Sequence, residues 1–333
     1  MVIISKNEEK NIESCIKSVL DATSKLPTEV ILVDSRSEDS TLAIARKFGI
    51  KVISLPAGVS SSAASGRSVG ARNCRGRYIQ FVDADMTIEP MWMQRALTYL
   101  ETADASTAAV AGEIRQNPTQ TAAREYQRRN LAKMTRTQEA KAFDSLYGAF
   151  MIKAGVLEEL GSFNSQLKAL EEAELSDRIR AAGHQIFLLP YLMCHHHVGD
   201  GEGFAYGMKR ARIAAVAGGE VFRKAIGTAS FLFRLRQFKG SFGAAAFGLY
   251  GLAALFSAIV VHSSWLGLSW CLALLLLYSL LLMREKGRLH HAFYFLALFL
   301  TTWVFFFYGF FRMPYEKSEH TDSEPAESTR HGR

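Results

Sequence analysis

The sequence is poor in cysteine. Of its 333 residues only Cys15, Cys74, Cys194 and Cys271 are Cys. They lie far apart and none forms a CxxC pair, which argues against a zinc ribbon or a disulfide framework. Such thiols suit buried or lipid-facing positions in a reducing compartment. The chain also lacks a short run dense in Lys and Arg. Its net charge of +7 is spread along the sequence, so no nucleic acid is expected as a partner. An anionic lipid or a phosphate-bearing ligand suits that balance. No leader is visible either: Val2-Ile3-Ile4 gives way at once to Ser5-Lys6-Asn7-Glu8-Glu9-Lys10, too short for a signal peptide's apolar core. The N-terminal region is therefore expected on the cytoplasmic side. No internal repeat is evident, and with 21% charged residues wholesale disorder is not expected.

Residues 1 to about 200 alternate between strand and helix patterns. Strands are expected at Val2–Ile4, Glu29–Asp34, Lys51–Leu55, Tyr78–Val82, Ala108–Ala111 and Ile186–Pro190. Helices are expected over Glu9–Ala22, Ser40–Phe48, Thr119–Ala142, Val156–Leu160 and Glu171–Ala182, and Gly58–Ser68 reads as a loop. The β-α-β-α-β rhythm predicts an open, mostly parallel sheet. Ligands of such sheets sit beyond the carboxyl ends of the strands. Asp34 and Asp83 both fall at that edge.

The last third is different. Phe222–Lys239 mixes aromatic and basic residues, as a basic amphipathic helix on an anionic membrane surface would. Then come Phe242–Val261, Trp265–Met283 and Ala292–Phe311, each without Asp, Glu, Lys or Arg. Each approaches the roughly 20 residues that a spanning helix needs. The basic stretches before the first span and at Arg284–His291 are expected in the cytoplasm. The predicted organisation is a catalytic domain at 1–210, an interfacial segment at 211–241, three spans within 242–311 and a polar, disordered tail at 312–333.

The sharpest chemical signal is Phe81-Val82-Asp83-Ala84-Asp85. Two carboxylates two apart, just past a buried strand, can hold a hard divalent cation, and such a cation neutralises a diphosphate leaving group. A second signal is Asp34-Ser35-Arg36-Ser37-Glu38-Asp39-Ser40-Thr41. Here Asp39 or Ser40 suits a helix cap, while Asp34 can accept a hydrogen bond from a base or ribose. In Cys194-His195-His196-His197, strand alternation puts His195 and His197 on one side and His196 on the other. Neutral imidazole is a common metal ligand.

These motifs, in this order, resemble family 2 inverting glycosyltransferases, which have a GT-A type fold. Val2-Ile3-Ile4-Ser5-Lys6-Asn7-Glu8-Glu9 is similar to the family's opening strand and Asn-Glu-Glu turn, with Ser5 where Pro is frequent. The resemblance implies substrate contacts for Glu8, for Asp34 at the nucleoside base, for Arg67 at the donor diphosphate and for Asp83. Arg67 lies in Gly66-Arg67-Ser68-Val69-Gly70, where Ala-Arg-Asn-x-Gly is usual; Arg72-Asn73 is an alternative register. Leu146–Phe163 is similar to the acceptor-side segment. Glu171-Glu172-Ala173-Glu174-Leu175 stands where Glu-Asp-x-Glu/Asp-Leu is usual, so the base would be Glu172 in place of Asp. The metal, Mg2+ or Mn2+, would take Asp85, His195 and His197.

The implied activity is metal-dependent transfer from a nucleotide-diphosphate sugar donor to a lipid-linked or saccharide hydroxyl, by a multi-pass protein of the bacterial inner membrane. Transfer to polyprenyl phosphate is the alternative within the class, since that acceptor needs no base. A membrane scaffold with a decayed transferase fold is the non-enzyme alternative. A processive synthase needs more spans and a Gln-x-x-Arg-Trp segment that this sequence lacks.

Overall fold

A computed structural model describes residues 1–117, 122–197, 204–260, 265–285 and 288–312. Residues 262–264 between the first two apolar runs, the polar tail beyond 312 and the start of the helix expected at 119 lie outside the described residues.

The N-terminal part is built on one nine-stranded sheet ordered β3-β2-β1-β4-β8-β6-β9-β5, with β7 paired to β9. Its strands are β1 (Val2–Ser5), β2 (Ile31–Asp34), β3 (Lys51–Ser54), β4 (Tyr78–Asp83), β5 (Met86–Ile88), β6 (Thr107–Gln116), β7 (Lys141–Ala142), β8 (Phe150–Lys153) and β9 (Gln185–His196). β1, β2, β3 and β4 are mutually parallel. β8 enters antiparallel to β4 and to β6, so the expected parallel arrangement holds for one half of a mixed α/β sheet. Successive residues of β1 show why these strands are almost wholly apolar: Ile3 packs into the core on one face of the sheet, Val2 and Ile4 into the core on the other. A strand covered on both sides has no polar face.

Helices α1 (Ile12–Thr23), α2 (Thr41–Ala45), α3 (Ala63–Arg72), α4 (Trp92–Thr102), α5 (Ala122–Thr135), α6 (Ala154–Glu159) and α7 (Glu171–Ala181) surround the sheet. Two of them differ from expectation. The loop expected at Gly58–Ser68 ends at Ser62, whose side chain caps α3 by accepting from Ser65 N. Gly66 and Gly70 are helical because they lie against β1. A Cβ on Gly70 would stand 2.3 Å from Val2 Cγ1, so the glycines serve close packing rather than a turn. The long helix expected at 119–142 stops at Thr135, where the Thr135 side chain donates to Leu131 O and accepts from Ile114 N.

Five further helices follow: α8 (Phe204–Ala225), α9 (Phe231–Gln237), α10 (Lys239–Val260), α11 (Trp265–Arg284) and α12 (Leu289–Phe311). The single basic helix expected over 222–239 is broken. Gly227 adopts φ +79° between α8 and α9, a conformation that ends helices and favours glycine. α10, α11 and α12 are long and apolar enough to cross a membrane, and α11 buries none of its residues.

One contact ties two of these helices to each other, and another joins them to the N-terminal fold. A Cβ on Gly219 of α8 would lie 1.9 Å from Phe306 O of α12, and one on Gly309 of α12 would lie 2.0 Å from Val216 O. The two helices therefore cross backbone to backbone, with Phe306 buried beside Phe222, Phe238 and Phe242. α9 docks on α7 through Arg234, which is fully buried. Its Nε donates to Asp177 Oδ2 at 2.9 Å and its Nη2 to Ala173 O at 2.5 Å.

Candidate active site

The carboxyl ends of β1, β2 and β4 form one edge. The loops there are tied to each other by side chains. Asn7, at φ +55°, accepts from Glu38 N, while its own N–H donates to Ser37 Oγ. Glu8 N donates to Thr41 Oγ1, and Glu9 and Asp39 engage across the same gap. This stitching explains the density of Asn, Glu, Asp, Ser and Thr in the two segments. Asp34 belongs to it. The side chain is fully buried, and its oxygens accept from Ser5 Oγ at 3.1 Å, Ser37 N at 2.8 Å and Ser37 Oγ at 2.5 Å. In this conformation Asp34 braces the loop after β2 from below.

Asp83 closes β4 and Met86 opens β5, so Asp83-Ala84-Asp85 is the tight link between two strands. Ala84 is buried and its N–H donates to Ile4 O. The acids on either side are both partly open, at 30% exposed for Asp83 and 27% for Asp85. His196 at the end of β9 brings its Nε2 to 3.0 Å from Asp85 Oδ2. The expected alternation thus places the rings differently: His196, not His195 or His197, reaches the acid. His195 pairs with Thr87 in the strand register. His197 stands past the strand end, its Nε2 2.9 Å from Thr87 Oγ1 and its N–H donating to Asp85 O. Burial and the neighbouring imidazoles of His195 and His196 lower the pKa of His197. Glu8 is half-buried and accepts from Asn11 Nδ2; burial and the nearby Asp85 push its carboxyl up.

Arg67 is the hub. The side chain is 1% exposed and reaches three carboxylates: Glu171 Oε1 at 2.5 Å, Asp83 Oδ1 at 2.8 Å and Glu172 Oε1 at 3.0 Å. Its Nη2 also donates to Gly148 O at 3.0 Å. Arg67 faces the acids, while Arg72 lies at the far end of α3. Three carboxylates share one guanidinium, and Asp85 lies beside them. Burial, followed by the Glu172 charge, pushes Glu171 up to about 7. Burial likewise raises Asp83, and Asp85 and Glu172 add to the rise against the opposing pull of Arg67.

A surplus of negative charge at a cleft edge is a binding site for cations. Among the described residues no group of three or more His, Cys, Asp or Glu side chains is arranged to hold a metal ion. His196 Nε2 is engaged with Asp85 Oδ2, and Asp83 and Asp85 could supply only part of a coordination sphere. That is the donor set expected when substrate phosphates complete it, as Mg2+ sites of one or two carboxylates do. The residues present therefore fit a divalent ion bound together with a diphosphate.

Glu171, Gly148 and His196 lie in segments that the sequence marks, but none of the three is given a site role there. Gly148 has φ +29°, and a Cβ there would meet Met86 Cε at 2.9 Å and Asp83 Oδ2 at 3.3 Å. Its small-residue context in Tyr147-Gly148-Ala149 is the one signal that marks it.

Residues 1–161 match the model for Glycosyl transferase family 2. A glycosyltransferase of Haloferax volcanii, AglE, is 24% identical over 200 residues, covering 59% of this chain and 66% of that protein. The chain thus spans just under two thirds of that relative. Among solved structures, the mannosyltransferase PcManGT from Pyrobaculum calidifontis, in complex with GDP-Man and Mn2+, is similar with a TM-score of 0.61 at 19% identity. That likeness covers 92% of this chain and 86% of the other. Staphylococcus aureus TarS 1-349 in complex with UDP-GlcNAc gives a TM-score of 0.52 at 16% identity, covering 92% and 91%. These likenesses show the fold.

Proposed function

We propose, from the premise that residues 1–161 are a glycosyltransferase family 2 domain in a GT-A-like fold, that this protein moves a sugar from a nucleotide-diphosphate donor to a lipid-borne acceptor at a membrane, with inversion. The observation that carries the reading is the cluster of Asp83, Glu171 and Glu172 around the buried cation Arg67, with Asp85 two residues from Asp83. The decayed-scaffold alternative fits poorly with so complete a site.

Asp83, Asp85 and His196 would hold Mg2+ or Mn2+ with the donor diphosphate. The ion would neutralise the charge that develops on the leaving phosphate. His195 and His197 pass from the ligand set to supporting positions. The stitched loops of Asn7–Glu9 and Asp34–Thr41 would cradle the nucleoside, with Asp34 fixing their shape and Glu8 bordering the ion. Arg67 fixes the directions of Glu171 and Glu172 and keeps their mutual repulsion in check. Of that pair Glu172 is the more open, at 15% exposed against 5%, and would take a proton from an attacking hydroxyl. Donors named for the similar structures carry different bases and sugars, GDP-Man and UDP-GlcNAc, so the choice among them rests with the cradle.

One observation favours the second reading, transfer to polyprenyl phosphate. Glu172 is engaged by Arg67 at 3.0 Å, and an ion-paired carboxylate is a weaker base. An ionised acceptor would not need one.

Three apolar helices, with the fold's α5 touching Glu285 after α11 through Arg129, support a membrane-spanning anchor. The catalytic domain would then lie on the same side as the turn between α11 and α12, the cytoplasmic side of a bacterial inner membrane. The direct test incubates the full chain in detergent with radiolabelled nucleotide sugars, Mn2+ and either an extract of neutral glycolipids or a polyprenyl phosphate. Label in the lipid phase supports the reading and identifies the acceptor class. Hydrolysis or no turnover with every donor and acceptor would overturn it.

A further inference from the structure

Outside the active site, a concentration of basic charge lies between α5 and the end of α11. A groove with a volume of about 810 Å³ is lined by Arg128, Arg129, Lys133, Arg136, Arg284 and Glu285. Five of these are cations. Glu285 is the organising group: it is only 4% exposed, yet accepts from Arg129 Nη2 at 3.1 Å and from Arg284 Nε at 3.0 Å. A buried carboxylate thus joins one cation from the catalytic-side helix to one at the end of an apolar helix. Arg284 is fixed further by lying 4.4 Å over the Phe295 ring of α12. The floor of the groove is therefore built rather than a scatter of mobile surface side chains. On the rim, Arg128 is paired with Glu125 and Arg136 with Glu113, while Lys133 is exposed and makes no ion pair with the described residues.

The position decides the ligand. Arg284 ends a helix of 20 residues that buries none of them, and the next apolar helix begins at Leu289. In a bilayer, that turn lies at headgroup depth. Basic pockets between spanning helices at this depth hold anionic headgroups, and each nearby Lys or Arg contributes about 1 kcal/mol. A guanidinium's fork of donors matches a phosphate oxygen pair.

We propose that this groove binds the phosphate of an anionic bilayer phospholipid and so seats the catalytic domain on the membrane. The proposal rests on the reading of α10, α11 and α12 as membrane spans but not on any particular sugar transfer. Bound phosphate lies against Arg128, Lys133 and Arg284, with the acyl chains running along α11 and α12.

The full chain in detergent is titrated with short-chain phosphatidylglycerol, with phosphatidylcholine and with inorganic phosphate, and its melting temperature is followed. A ligand that binds only the folded protein raises that temperature with concentration. Phosphatidylglycerol is expected to raise it, phosphatidylcholine and inorganic phosphate at equal ionic strength are not. In the double variant Arg128→Gln/Lys133→Gln the apparent affinity is expected to fall about 10- to 30-fold, and Lys133→Gln alone, at an exposed and unpaired position, to give a smaller loss. Equal shifts with phosphatidylcholine, equal shifts with inorganic phosphate, or an unchanged response in Lys133→Gln and the double variant would each overturn the proposal. The shift with nucleotide diphosphate and Mn2+, measured on the same samples, reports separately on the proposed active site.

Discussion

At the scale of single residues, the site is organised by Arg67. Removing a buried cation that serves three carboxylates leaves like charges facing one another. Breaking a buried pair from one side costs about 3–5 kcal/mol. Arg67→Met is therefore expected to melt many degrees lower than the parent protein, and to recover part of the difference when Glu171→Gln is added. No recovery would show that Glu171 and Arg67 do not depend on each other.

Glu171 itself has a pH signature. Its folded pKa is raised to about 7 by burial and by Glu172, so the folded state holds a proton that the unfolded chain releases at lower pH. Its favourable contribution is complete below about 4.5 and is lost as pH rises through about 7. Glu171→Gln should flatten the fall in melting temperature between those pH values, and a profile parallel to the parent's would contradict this assignment.

Glu172→Gln keeps shape and removes basicity. With a hydroxyl acceptor, the rate should fall about 10²- to 10⁴-fold while donor affinity stays. With a polyprenyl phosphate it should change little. Single-turnover rates with both acceptors separate the cases, and lost donor affinity would assign Glu172 to positioning instead.

The pair Asp83 and Asp85 is legible in the sequence because a buried apolar strand runs straight into it. Glu171 and Gly148 are not, because what marks them is their meeting with Arg67 across 104 and 81 residues of chain. No local pattern records such a meeting. The histidines show the same limit. Strand alternation separates His196 from its neighbours, but which one meets Asp85 depends on the pairing of β9 with β5.

At the scale of elements, α7 is held from two sides. Its first turn carries Glu171 and Glu172 to Arg67, and its middle is gripped by Arg234 of α9. Because α9 precedes the first apolar helix, this grip links the apolar helices to the acids. Arg234→Lys keeps the charge but loses the two-pronged contact with Asp177 and Ala173 O. It is expected to lower kcat several-fold with little change in the donor KM, and equal loss in both would point to general unfolding.

Most elements of the β1–β4 half are legible from apolar runs ended by acids or Pro. β5, α4 and β8 are not: β5 has three residues, too short for periodicity to register, and the apolar run of β8 is not ended by an acid or Pro. The glycines of α3 mislead in the same way, resembling a loop until their contact with β1 is seen.

At the scale of the whole molecule, the division into a catalytic part and three apolar helices is legible because uncharged runs of that length have few soluble explanations. The packing of α8 on α12 is not, since it rests on Gly219 and Gly309 meeting across about 90 residues. Gly219→Ala puts a methyl group 1.9 Å from Phe306 O, and forcing such overpacking costs typically 1–3 kcal/mol or more. The full chain should melt lower, whereas Gly243→Ala, at a glycine with open space around it, should not. A reporter fused after residue 225 is expected on the same side of the membrane as one at Lys286, and one at His262 on the opposite side.

The central claim is that Asp83 and Asp85 hold a divalent ion together with a nucleotide diphosphate. Calorimetric titration of the full chain with UDP and with GDP, each with Mn2+ and with EDTA, tests it most directly. Binding of at least one nucleotide is expected with Mn2+ and not with EDTA, and Asp85→Ala should lose the Mn2+-dependent part while keeping its melting temperature. Nucleotide binding of equal strength in EDTA, or undiminished in a folded Asp85→Ala protein, would contradict the account.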